Sequence, residues 1–222
     1  MLRCDFLPNH PEIKVYQDDD MFLINTDTQV LGEFLSIKHK DIVLDLGTNT
    51  GGLLLYASLF QPKKLFGLDV NEKALELAKK NMEENHVENV ELIHANLLQY
   101  TIDELVDVVI CNPPYFNTPS QLLAENEYKT LAKHESGGLT LPLLIQSISR
   151  NLRDGGTLFF LFLTSRMEEV ILELEKNNIA VKEMKFIYDE NKEHSNVFVM
   201  RGVKNGKLGM VVDKPIIISR KK

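Results

Sequence analysis

Two periods of hydrophobic and polar residues alternate along this chain. Short apolar runs fall at Ile42–Leu46, Lys64–Asp69, Val90–His94, Val106–Ile110 and Thr157–Leu163. Runs of that length bounded by turn residues read as buried strands. Between them the spacing becomes helical. Leu53–Phe60 and Asn71–Asn85 are predicted helices, the second with Ala74, Leu75, Ala78 and Met82 on its core face. Leu141, Leu144, Ile145, Ile148 and Leu152 follow helical spacing, as do Met167, Val170, Ile171 and Leu174. Val181–Tyr188 and Asn196–Val203 read as a strand pair, and Ile216–Ile218 as a last strand-like run. Near the start, Lys14–Tyr16 and Met21–Asn25 suggest a hairpin joined through Asp18–Asp20, and Thr26-Asp27-Thr28 resembles a helix start.

Strand and helix alternate from residue 41 onward. That pattern predicts an α/β fold with a mostly parallel sheet and helices on both faces. Asn117–Ser136 interrupts it as a polar, loop-like stretch with a possible short helix at Leu122–Leu131. A connection that long inside a domain is usually functional or mobile.

Composition narrows the class without deciding it. The 222 residues suit one α/β domain, with hydrophobic and charged fractions ordinary for a globular protein. Cys4 and Cys111 form no disulfide or ligand pattern, so a reduced, cytoplasmic setting is expected, without a metal. No apolar run reaches membrane-spanning length, and Arg3, Asp5 and Pro8 interrupt any signal-like segment. Net charge is −7, yet Met200–Lys222 carries seven basic residues against Asp213 alone. A basic end on an acidic body is a candidate phosphate grip, through Arg201, Lys204, Lys207 and Lys214. A solvated lysine-rich tail explains the same count.

The chemistry concentrates at the ends of the apolar runs. Val106–Ile110 leads into Cys111-Asn112-Pro113-Pro114-Tyr115-Phe116. Neither proline can donate a ladder hydrogen bond, so the strand stops there. In open α/β sheets ligands bind at the carboxyl ends of the strands. A conjugated amino group becomes a better nucleophile when two acceptors hold its hydrogens and turn its lone pair toward an electrophile. The Asn112 side-chain oxygen and the Pro113 carbonyl can be those acceptors, Pro114 stiffens the turn, and the Tyr115 ring can stack on a flat substrate. The competing reading is a turn with a buried tyrosine.

Three other strand ends carry matching residues. Asp45-Leu46-Gly47-Thr48-Asn49-Thr50-Gly51-Gly52 follows the first run, and its glycines permit close approach of a ligand to the backbone. The spacing is not Gly-x-Gly-x-x-Gly, which disfavours a pyrophosphate binder. Asp69, followed by Val70, can accept two ribose hydroxyls, and the Asn96 amide, followed by Leu97, can read an adenine edge. Together they suit an adenosine-containing cofactor without a pyrophosphate. S-adenosylmethionine fits, its positive charge matching an acidic site near Asp45. Singly, Asp69 reads equally well as a helix-terminal carboxylate and Asn96 as a turn residue.

In order, these motifs resemble those of class I S-adenosylmethionine-dependent methyltransferases acting on exocyclic or amide nitrogens. Phe22-Leu23-Ile24-Asn25-Thr26-Asp27-Thr28, Leu131-Ala132-Lys133-His134-Glu135, Val203–Lys207 and Lys214–Ile217 are similar to stretches of the bacterial tRNA(Val) adenine-N6 methyltransferases. That family methylates the adenine following the anticodon, nucleotide 37. The resemblance implies a Rossmann-like, mostly parallel seven-stranded sheet with an antiparallel C-terminal strand. It implies an N-terminal segment, 1–40, covering the cofactor site, a methyltransferase domain at 41–203, and a basic extension, 204–222, packed on it. It assigns Asn112, Pro113, Pro114 and Tyr115 to catalysis. It assigns Thr26, Asp27, Asp45, Gly47, Asn49, Gly51, Asp69, Val70, Asn96, Leu97 and Asn112 to the cofactor, and Tyr115 and Phe116 to the base. A monomer acting on tRNA is expected, with no metal and no membrane. His134 and Glu135 are expected to pack on the catalytic turn rather than act as an acid/base pair. Two departures stand out: Asn49 replaces a usual glycine, and Asn96 a common aspartate. The Asn-Pro-Pro-Tyr turn would serve a protein glutamine-N5 methyltransferase equally well, and a ribosomal RNA guanine-N2 methyltransferase is another rival. A non-catalytic cofactor-binding partner is the rival outside the enzymes.

Overall fold

The computed structural model describes residues 1–113 and 138–219. The expected loop at Asn117–Ser136 and its short helix lie outside them. An antiparallel hairpin, β1 (Leu2–Leu7) and β2 (His10–Asp18), comes first, followed by α1 (Thr26–Phe34). The alternating core is β3 (Ile42–Leu46), α2 (Gly52–Ser58), β4 (Lys64–Asp69), α3 (Glu72–Glu84), β5 (Val90–His94) and β6 (Val106–Cys111). After the undescribed stretch come α4 (Leu141–Asn151), β7 (Leu152–Leu163), α5 (Met167–Lys176), β8 (Ile179–Asp189) and β9 (Val197–Lys204). Two short strands finish the described chain, β10 (Val211–Val212) and β11 (Ile216–Ile218).

The main sheet runs β10-β8-β9-β7-β6-β3-β4-β5, with β11 also on β8. Only β9 is antiparallel to its neighbours. The expected α/β fold with an antiparallel C-terminal strand is borne out, but the sheet has nine strands rather than seven. The two extra strands come from the C-terminal segment, which pairs in parallel with the outer edge of β8. Two residues are too few to show a period, so β10 had no signature in the sequence.

The core divides by strand parity, because successive side chains point to opposite faces. Leu44 and Leu46, Val109 and Cys111, and Phe160 and Phe162 join α4 and α5 on one face. Val43, Val108, Ile110, Phe159 and Leu161 join α1 and α2 on the other. Leu144, Ile145 and Ile148 of α4 are fully buried there, each contributing about 1.5–3 kcal/mol of burial.

The N-terminal hairpin differs from the expectation. The turn is Pro8-Asn9, with Asn9 left-handed at φ 62°, and Leu2–Leu7 is the partner strand. Asp18–Asp20 joins no two strands. The Asp18 carboxylate instead accepts the Asp20 N–H at 3.2 Å and the terminal ammonium at 3.0 Å. Acidic side chains that satisfy local donors mimic a hairpin turn in sequence. The helix start near Thr26 holds, with Asn25 as the cap: its side chain accepts the Thr28 N–H at 3.0 Å.

The two helices α1 and α2 approach unusually closely at Gly32, where a Cβ would lie 2.3 Å from the buried Tyr56 ring. Gly32→Ala should therefore destabilise the protein despite the higher helix propensity of alanine. The propensity gain is at most about 1 kcal/mol, against about 1–3 kcal/mol for overpacking. The expected result in thermal unfolding is a midpoint lowered by several degrees.

Candidate active site

The strand parity decides which side chains meet at the carboxyl end of the sheet. Asp45 lies two residues beyond Val43, Asp69 two beyond Gly67, and Asn112 two beyond Ile110. Asp45 is in register with Gly67 on one side and Ile110 on the other. All three polar side chains consequently fall on the α1–α2 face, at adjacent strand ends. Asn112 is partly buried and Pro113 buried. Pro114, Tyr115, Phe116, His134 and Glu135 lie outside the described residues.

The loop from β3 to α2 requires left-handed backbone at three positions: Gly47 at φ 79°, Asn49 at φ 49° and Gly51 at φ 83°. Asparagine is among the few side chains that enter this region readily, which explains how Asn49 stands in for a glycine. Its backbone N–H donates to Asp69 Oδ2 at 2.8 Å, and its side chain donates to the Phe22 carbonyl. The replacement thus fastens the N-terminal segment to the loop. Gly47 leaves open space where a Cβ would project, so a ligand can approach the backbone there.

Asp45 is 1% exposed, and among the described residues neither carboxylate oxygen has a partner with good hydrogen-bond geometry; the buried Thr48 hydroxyl beside it has none either. Burial pushes Asp45 up to about 7, opposed by the neighbouring Thr48 hydroxyl, with nearby Asp69 adding to the shift. Buried polar groups without partners are rare and call for a ligand or a strain role. Asp69 is also raised by burial, opposed by the N–H groups of Asn71 and Asn49.

The remaining expected residues are placed as follows. Thr26 and Asp27 form the first turn of α1, partly buried. The Val70 carbonyl meets His94 Nε2 at 2.9 Å. Asn96 Oδ1 accepts the Leu98 N–H at 2.9 Å, so that oxygen closes a local turn. The Leu97 carbonyl accepts from Ser147 Oγ at 2.7 Å and from the Arg150 guanidinium.

The basic residues do not gather at this end. Lys204 pairs with Ile179 at the amino end of the parallel strands, opposite Asn112. Its Nζ donates to the Ser149 and Leu152 carbonyls at 2.6 and 3.0 Å. A cation on the last carbonyls of α4 caps that helix, which removes Lys204 from the candidate phosphate grip. Arg201 is ion-paired to Glu183 on the adjacent strand at 3.3 Å. Lys207, just past the end of β9, and Lys214, on the β8 edge, are exposed.

Sequence reading missed Asn81 of α3 and Asn85, which caps that helix. Asn81 is fully buried, accepting the Tyr16 N–H at 2.7 Å and donating to the carbonyls of Tyr16 at 3.0 Å and Thr50 at 2.8 Å. Asn85 makes the same paired contact with Lys14. The available signal was position: Asn81 lies three residues after Ala78, inside the apolar stripe.

The model of the methyltransferase small domain matches residues 12–189. The chain belongs to that methyltransferase family. Among curated relatives, a tRNA1(Val) (adenine(37)-N6)-methyltransferase from Pseudoalteromonas translucida is 29% identical over 75% of this chain and 71% of its own length. One of the same name from Vibrio campbellii is 29% identical over 67% of this chain, which spans only 62% of that relative. The tRNA m1G37 methyltransferase of M. jannaschii shares the fold, with a TM-score of 0.66 at 17% identity over 93% of this chain and 57% of that one. Among the described residues, no cluster of His, Cys, Asp and Glu could hold a metal ion. No helix there is long and apolar enough to cross a membrane.

The buried Asp45 sets a pH test for this methyltransferase-family chain. Its folded pKa lies above the unfolded value, so the cost of ionising it is absent below about pH 4 and complete above about pH 7. Asp45→Asn should stabilise the ligand-free protein above pH 7 by about 1–3 kcal/mol, the lost ionisation cost less that of a buried amide. The gain over wild type should shrink as denaturation is repeated at lower pH and reverse near pH 4, where only the cost of the buried amide remains.

Proposed function

We propose that this chain transfers a methyl group from S-adenosylmethionine to the exocyclic N6 of an adenine in tRNA, at nucleotide 37 of tRNA(Val). The reading is carried by one juxtaposition: a buried carboxylate with no well-formed hydrogen bond among the described residues, an open left-handed loop and the Asn112-Pro113 segment share one end of the sheet. The names of the curated relatives supply the tRNA and the nucleotide.

The residues present fit the cofactor. Asp45 and Thr48 offer unused polar atoms to a cationic amino acid moiety, and Gly47 leaves room for it. Asp69 would take the ribose hydroxyls, Asn96 with Leu97 the adenine edge, and Val70 the floor beside it. Thr26 and Asp27, at the start of α1, would close the site from above. Residues 1–40 would serve as a cover, an assignment supported by the Asn49–Phe22 bond and by Ile24 packed on Gly52. When bound, the cofactor supplies an electrophilic methyl on a sulfonium.

The chain's own work is positioning. The target adenine leaves its stack to reach the site, and Tyr115 with Phe116 would stack on it, worth about 1–3 kcal/mol per base. Asn112 Oδ1 and the Pro113 carbonyl would each accept one N6 hydrogen, turning the nitrogen lone pair toward the methyl. The fixed φ of Pro113, like that expected of Pro114 from the sequence, would restrict the motion of both acceptors. Lys207 and Lys214 remain candidates for phosphate contact.

The test is methyl transfer from labelled cofactor to unmodified tRNA, followed by nucleoside analysis. Label should appear in N6-methyladenosine with wild type and fall by about 100-fold or more with Asn112→Ala, the scale of losing a positioning group. Label in a release factor or ribosomal RNA instead would overturn the substrate and leave the site. A second expectation concerns pH. A cation beside Asp45 favours its ionised form, so cofactor affinity should weaken as pH falls below about 7, approaching about tenfold per pH unit. Calorimetric titration of the cofactor from pH 5.5 to 8.5 should show this in wild type, and Asp45→Asn should flatten it.

A further inference from the structure

We infer that Asn81 is a positioning residue that joins the N-terminal hairpin to the cofactor loop, so that the hairpin's attachment and cofactor affinity are coupled. The inference rests on the cofactor reading above.

The geometry is that of a strand partner supplied by a helix. The free edge of β2 offers the N–H and C=O of Lys14 and Tyr16. Asn85 satisfies the first pair at 3.0 and 2.7 Å, and Asn81 the second at 2.7 and 3.0 Å. The two asparagines are four residues apart on α3, one helical turn, and are linked by the Asn85 Nδ2 to Asn81 carbonyl bond of 2.8 Å. They differ in one respect. The second amide hydrogen of Asn85 goes to the carbonyl of Asn81, whereas that of Asn81 reaches the Thr50 carbonyl at 2.8 Å, inside the left-handed loop between Asn49 and Gly51.

That bond lies in a fully buried place, where an unpaired carbonyl is costly. It fixes the Thr50–Gly51 peptide plane, and with it the direction of the Gly51 N–H. From Tyr16 the chain continues to Gln17, whose Oε1 accepts the Ile24 N–H at 2.7 Å, and Ile24 rests on Gly52. The segment is thus tied to the loop through Asn81 at Thr50 and again where the loop enters α2 at Gly52. Coupling of this kind is reciprocal: whatever orders the loop must also secure the hairpin.

The two asparagines allow a controlled experiment. Asn81→Asp keeps the acceptor for Tyr16 and replaces both donors by carboxylate oxygen facing two carbonyls. Asn85→Ala removes an equivalent hold on the hairpin without touching the loop. S-adenosylmethionine binding is measured by calorimetry well below each unfolding midpoint, and kcat at saturating cofactor alongside. Asn81→Asp should weaken binding about tenfold, the size of one unsatisfied buried group, with kcat within about twofold of wild type. Asn85→Ala should leave affinity within about twofold even if its midpoint falls as far. Equal weakening by both variants, or none by Asn81→Asp, overturns the inference. A second arm needs no variant: the cofactor should slow hydrogen exchange at the Tyr16 amide of wild type more than at Lys14, and equal or absent slowing overturns the coupling. Failure of wild type to bind the cofactor at all would instead overturn the underlying reading, and this inference with it.

Discussion

Parallel strands force their ends into line, and that constraint organises the rest of the molecule. A parallel pair cannot be closed by a tight turn, so each strand from β3 to β7 is reached by a crossover that brings the chain back to the amino end. Every strand then finishes at the same edge. Because side chains alternate, only one parity there faces the α1–α2 layer. Asp45, Asp69 and Asn112 share it, spread over a span of 67 residues of sequence yet only one or two strand spacings apart.

The same arrangement sets a conflict between stability and chemistry. A buried carboxylate without well-formed hydrogen bonds resists folding, and among the described residues Asp45 is one, with only the neighbouring Thr48 hydroxyl to ease it. Such groups survive where a ligand completes them. The protein compensates nearby with rigid attachments: Asp69 is held by two backbone N–H groups, Asn49 is bonded to Phe22, and Asn81 closes three buried contacts at once. The loop is stiff around a site that is electrostatically unfinished.

What the sequence disclosed and what it withheld follow from range. Buried strands announce themselves locally, so β3 to β6 could be read almost to the residue, and Gly47, Asp69 and Asn112 stood at ends that the pattern itself marked. Pairings between distant segments have no local mark. The hairpin went to the wrong turn because three aspartates outweighed Pro8-Asn9, and the fit of Leu2–Leu7 against β2 is a matter of register. Asn81 and Asn85 were passed over since hydrophobic periodicity counts apolar positions, and these two earn their place through amides. Lys204 was misread for a related reason. A charge count cannot tell a lysine facing solvent from one bonded to the end of α4. The roles of Tyr115 and Phe116 rest on resemblance, beyond the described residues.

The last strands, β10 and β11, give the sheet a hem. An eleven-residue strand such as β8, left bare along one side, would offer a long row of unpaired amides to any other extended chain. The C-terminal segment covers that side with pieces of two and three residues, broken by Asp213, Lys214 and Pro215. The border that then faces outward is too short and too interrupted to template a neighbour. A stretch whose charge first suggested a phosphate grip therefore shields this edge of the sheet from pairing with another extended chain.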